Sequence, residues 1–183
     1  SLIWIYYFKK INLFQKNNYR LIFLSFLFGL LTVPLAKLFD FDILNAINEE
    51  LIKIVFFVLF YFLFKNKFKE PFDFVIYISM IALGFNFMEV IFKLKDSNSL
   101  SLFETNLLSR VIFGPIGHIT YGLIAVYGFI KYKFNDLYNK RFVIFGYFLL
   151  SILCHFVYNL IGLIPKSNFL DFNLELQGII NDA

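Results

Sequence analysis

The sequence contains one cysteine, Cys154, in 183 residues. A lone thiol excludes an internal disulfide and any metal cluster built on several cysteines. Charge is scarce: Asp, Glu, Lys and Arg together make up 16% of the chain. Histidine occurs twice, at positions 118 and 155. No long loop, repeat or low-complexity linker divides the chain, and its length is that of one domain, read here as residues 1–183.

What is abundant is apolar surface. Hydrophobic residues make up 60% of the chain and 28 are Phe, with a mean hydropathy of +0.72. A soluble domain of this length does not need so much. Five runs approach the roughly 20 residues that a helix needs to cross the hydrocarbon of a bilayer: Leu21–Phe39, Ile43–Phe64, Phe72–Phe92, Leu107–Ile130 and Phe142–Ile164. The expected fold is therefore all-α, a polytopic membrane bundle of about five transmembrane helices. "KDSNSLSLFETN" (Lys95–Asn106) is the longest polar connection. The chain opens without Met on "SLIWIYYF", apolar but too short to span and lacking the charged start and cleavage site of a signal peptide. It is read as an interfacial segment or the tail of a shortened first span.

The net charge of +4 is not a nucleic-acid signal, because the basic residues occupy short loops. One side collects Lys9, Lys10, Lys16, Arg20, Lys65, Lys67, Lys69, Lys131, Lys133, Lys140 and Arg141; the other has Lys37, Lys93, Lys95, Arg110 and Lys166. The richer side is expected to be cytoplasmic.

Polar residues within the runs fall on helical faces. Glu49 and Glu50 lie four and three residues before Lys53, both neighbour spacings on a helix. Ser79, Ala82, Asn86, Glu89 and Lys93 recur at threes and fours, as do Gly114, His118, Tyr121, Gly122 and Ala125; Ser151, His155 and Asn159 follow at fours. Counted from the outer end of each run at 1.5 Å per residue, Glu49, Glu50, Glu89, His118 and His155 all fall within roughly 5–17 Å of that boundary. Each has a plain alternative: carboxylates suit a helix start, Glu89 can pair with Lys93, His118 can be a packing residue bonded to a backbone carbonyl, and His155 with Asn159 can join helices as polar glue. Four helices that each bring an ionisable group to one level make those alternatives jointly weak, since charged groups in spans cost at least ~2.5–3.5 kcal/mol.

Carboxylates and two histidines, open to water from one side, suit hydrolysis in either of two ways. In one, His118, His155 and a glutamate, Glu89, bind zinc and leave a coordination position for water. In the other, a glutamate activates water without metal, while a histidine and Asn159 donate hydrogen bonds to the oxyanion. The spacing does not choose between them. The candidate catalytic residues are Glu49, Glu50, Glu89, His118, His155 and Asn159.

In order along the chain, "EELIK" (Glu49–Lys53), "FNFME" (Phe85–Glu89), "GPIGH" (Gly114–His118) and "HFVYN" (His155–Asn159) resemble the motif series of PrsW-type intramembrane proteases, within the wider superfamily of CAAX prenyl endopeptidases and bacteriocin-processing membrane proteases. "EPFDFVIYISMIALGFNFMEVIF" is similar to that family's E-P-hydrophobic-D lead-in, and "IWIYYFKK" to its short aromatic, basic opening segment. The resemblance spans about residues 3 to 163. It implies a membrane-embedded endopeptidase of the metalloprotease type, in a bacterial cytoplasmic membrane, cutting a membrane-anchored protein such as an anti-sigma factor on its extracytoplasmic side. It matches Glu49 and Glu50 to the double glutamate, Glu89 to the third-motif glutamate, His118 and His155 to the two histidines, and Asn159 to the H-x-x-x-N/D ending. Val90 departs from the pattern where Asn is common. A proton-coupled transporter and an inactive membrane scaffold are the competing classes; no internal repeat of the transporter kind is visible.

Overall fold

The structure is a computed structural model that describes residues 19–38, 45–95, 100–135 and 140–163. These form five helices: α1 (Tyr19–Leu38), α2 (Asn45–Phe64), α3 (Pro71–Lys95), α4 (Leu100–Phe134) and α5 (Lys140–Leu163), with a 3₁₀ turn at Lys65–Lys67. The chain is a polytopic all-α membrane protein. Helices α1, α3, α4 and α5 are long and apolar enough to cross a membrane. Helix α2 is as long as α1, with 20 residues, but carries Glu49, Glu50 and Lys53 in its first turns. It packs against each of the other four. "SLIWIYYF" lies outside the described residues.

Four of the five expected runs agree with the helices to within three residues wherever both are described. The fourth does not: α4 begins at Leu100 rather than Leu107, so most of the expected polar connection is helix. The reason is local. Residues 100–113 contain neither Gly nor Pro, so nothing in the backbone stops a helix there.

The α2–α3 turn is held by its own sequence. Pro71 is the first residue of α3, where a missing N–H costs nothing. Two residues on, Asp73 Oδ2 accepts the backbone N–H groups of Lys69 (2.8 Å) and Glu70 (2.9 Å), the N3 half of a capping box. Lys133 of α4 donates to the Phe68 carbonyl and lies over the Tyr61 and Phe74 rings.

The bundle is divided along its length. Towards this turn, the core is aromatic: Phe57, Phe60, Phe68, Phe74 and Tyr77 are all buried and meet edge-on or tilted, as in Phe68–Phe74 at 4.8 Å and Phe60–Tyr77 at 5.2 Å between centroids. A cavity of about 210 Å³ between Val58, Tyr61, Phe129 and Ile144 lies at this end. On the other side of the core, α1 crosses α3 with backbones touching. A Cβ on Gly29 would overlap the Ile81 carbonyl oxygen and sit 2.9 Å from Gly84 Cα, and one on Gly84 would overlap the Phe26 carbonyl oxygen. Glycine at both positions permits this approach. At the opposite end of α2, the same interior becomes polar.

Candidate active site

Helix α2 enters the bundle with Glu49 and Glu50 side by side and Lys53 about one turn later, and the faces anticipated from spacing on α3, α4 and α5 close around them. Glu50 is 1% exposed and Lys53 0%. Glu50 Oε1 accepts from Lys53 Nζ at 2.5 Å and from His155 Nδ1 at 2.7 Å. The Ser151 hydroxyl donates to the Tyr121 carbonyl at 2.8 Å, and its oxygen lies 3.3 Å from Glu50 Oε2. On the other flank, His118 Nε2 is 2.9 Å from Glu89 Oε2, and Lys93 donates to Glu89 Oε1. Lys53 Nζ is also 3.3 Å from His118 Nδ1. The two imidazoles are 5.6 Å apart, nearly perpendicular.

The partners orient the histidine rings. Ionised Glu50 only accepts, so Nδ1 of His155 carries a proton. The other nitrogen, Nε2, faces Glu49 Oε2 at 3.7 Å, a buried oxygen without a hydrogen-bond partner. The Tyr121 ring stacks on His155 at 4.7 Å and 11°, fixing the plane of the imidazole. Gly114 makes room on the His118 side: a Cβ there would overlap Oδ1 of buried Asn86.

Of the residues expected from sequence, Glu49, Glu50, Glu89, His118 and His155 meet in this cluster. Asn159 does not; it is exposed one turn beyond His155, with Phe156, Val157, Tyr158 and Leu160 exposed around it. Lys53, Tyr121 and Ser151 belong to the cluster although they are not among the candidate catalytic residues. Their signal is in the sequence: each sits three or four residues from a cluster member on the same helix.

A family model described as "PrsW family intramembrane metalloprotease" matches residues 18–179. The chain belongs to this family. It is 30% identical over 146 residues to a protein named Protease PrsW from Halalkalibacterium halodurans, covering 78% of this chain and 61% of that one. It is 29% identical over 132 residues to Protease PrsW of Geobacillus kaustophilus, covering 72% of this chain and 54% of that one. The chain thus spans between half and two thirds of the relatives it matches. No solved structure matches it.

A catalytic zinc centre calls for about three side-chain ligands around one point. Among the described residues, no three His, Cys, Asp or Glu side chains are so arranged. Both nitrogens of His118 are engaged, by Lys53 and by Glu89, so the set His118, His155 and Glu89 does not offer three open donors. One open pair is present: His155 Nε2 and Glu49 Oε2 at 3.7 Å, close to the spacing of two ligands on tetrahedral zinc with bonds of ~2.0–2.2 Å. Two donors fall short of the three that catalytic zinc takes, so the described residues do not fit that ion.

Proposed function

We propose that the protein is an intramembrane endopeptidase that hydrolyses a membrane-anchored protein of the anti-sigma-factor kind, near the extracytoplasmic side of a bacterial cytoplasmic membrane. The observation that supports this best is the gathering of Glu49, Glu50, Glu89, His118 and His155 from four helices into one cluster inside an otherwise apolar bundle. Ionisable groups in such a setting are costly and mark function.

The Glu49–His155 gap is the reacting position. A water placed there touches Glu49 Oε2 and His155 Nε2 together. Glu49 takes a proton from the water as its oxygen attacks the scissile carbonyl. The O–C bond forms, the C–N bond breaks, and the proton passes from Glu49 to the leaving nitrogen. Glu50 and Tyr121 hold His155 in the plane this needs. His118 gives its one N–H to Glu89 and holds the opposite flank of the cluster in place.

Glu49→Gln and His155→Gln, each reconstituted in liposomes with a membrane-anchored reporter peptide, test this. Each should reduce cleavage by at least ~100-fold while the protein stays folded. Wild-type cleavage by both variants would overturn the reading.

A further inference from the structure

We propose that the aromatic cavity at the Lys133 end of the bundle binds an anionic phospholipid, with an acyl chain in the cavity and the phosphate on the Lys133 ammonium. This end lies away from the glutamate–histidine cluster, and the proposal does not depend on the protease reading. The cavity, about 210 Å³, is walled by Tyr61 and Phe62 of α2, Phe74 of α3, Phe129 of α4 and Ile144 of α5, and Lys133 is its charged wall residue. Phe62 is 67% exposed, so the cavity opens on the lipid-facing side of the bundle. Lys65, Lys67 and Lys69 follow Phe62 within about two turns, which puts the opening just below headgroup level. An apolar cavity is a poor site for water. In a chain that spans a bilayer, the neighbour available to fill it is a lipid chain.

Charge on the rim is one-sided. Lys133 Nζ sits over the Tyr61, Phe74 and Phe134 rings at 5.3, 5.5 and 5.5 Å. A lysine serving only to set orientation could extend into water; this one turns back over the cavity wall. It donates to the Phe68 carbonyl, and among the described residues no carboxylate pairs with it. An ammonium has three N–H groups, so two remain for phosphate oxygens. Lys65, Lys67, Lys69, Lys131 and Arg141 belong to the same end. Against them stand Glu70 and Asp73, and Asp73 is spent on the N–H groups of Lys69 and Glu70. An anionic headgroup neutralises such a rim, whereas a zwitterionic one does not. The positive-inside rule makes this the cytoplasmic side, where anionic lipids gather and basic pockets between helices bind their headgroups.

The test is native mass spectrometry of the detergent-purified protein titrated with phosphatidylglycerol or with phosphatidylcholine of the same chains. One phosphatidylglycerol should bind, at least about fivefold more tightly than phosphatidylcholine. Lys133→Gln, which can still donate to the Phe68 carbonyl, should remove that preference. Lys65→Gln, at the same end but off the cavity wall, should change it by less than about twofold. Ile144→Phe, which fills the cavity and leaves every charge in place, should weaken phosphatidylglycerol at least about tenfold. No bound lipid, equal binding of the two lipids, equal losses from Lys133→Gln and Lys65→Gln, or full affinity in Ile144→Phe would overturn the proposal. Displacement of the lipid by millimolar inorganic phosphate would assign the lysine to a free anion, and a doubled mass in place of the lipid adduct would assign the face to a second copy; either overturns it too. If Lys133→Gln does not fold, the wild-type preference and Ile144→Phe decide it.

Discussion

Replacing Glu50 by Gln isolates charge from shape at the centre of the cluster. The structure leaves room for the amide without rearrangement. Its oxygen can keep the place of Oε1, accepting from Lys53 at 2.5 Å and His155 at 2.7 Å. Its NH₂ can face Ser151 Oγ, 3.3 Å from Oε2, because the Ser151 proton is already given to the Tyr121 carbonyl. What disappears is the countercharge of an ammonium that is 0% exposed. Breaking a buried ion pair from one side costs about 3–5 kcal/mol. Glu50→Gln should therefore lower the free energy of unfolding by about that amount, and Glu50→Gln/Lys53→Met, which removes both charges, should recover at least ~2 kcal/mol of it. Reversible unfolding in mild detergent, followed by circular dichroism, measures both values. If the single variant is as stable as wild type, or the double variant is no better than the single, Glu50 and Lys53 are not a mutually dependent buried pair and the cluster as described is wrong.

Three further outcomes follow from the fold. Gly29→Ala and Gly84→Ala each place a methyl group on the carbonyl of the facing helix and should cost about 1–3 kcal/mol by overpacking; unchanged melting temperatures would refute the α1–α3 contact. Asp73→Ala removes the acceptor of two backbone N–H groups and should cost roughly 0.5–2 kcal/mol, while cleavage per folded molecule stays within about twofold because the cluster lies at the other end of the bundle. Gly114→Ala pushes a Cβ into Asn86; its cleavage rate should fall more steeply than its stability, and equal wild-type values of both would contradict the tight packing beside His118.

Much of this arrangement is legible in the sequence, and the parts that are not have definite physical reasons. Apolar runs specify helices because the bilayer leaves few other ways to satisfy a backbone, so the five helices follow from composition. The start of α4 does not, because a polar stretch resembles a loop even where the backbone has no stop. The i, i+4 faces correctly bring His118 and His155 towards Glu50 and Glu89. Periodicity says which face a residue shares, not how far along a helix the contact lasts. At this end of helix α5 Ser151 and His155 are buried, while residues 156–160 are exposed, so Asn159 keeps the phase of the face and lies outside the cluster. The reach of Lys53 to His118 is hidden for a different reason: spacing shows neighbours within a helix, and this contact joins two helices 65 residues apart in sequence.

The central claim is that this buried cluster hydrolyses a peptide bond. The most direct measurement is mass spectrometry of a membrane-anchored reporter incubated in ¹⁸O-enriched water with the reconstituted protein. The account predicts two fragments cut near one membrane surface, with ¹⁸O in the new carboxyl group, and neither fragment with His155→Gln. An intact reporter alongside folded wild-type protein, or the same fragments from wild type and His155→Gln alike, would contradict it.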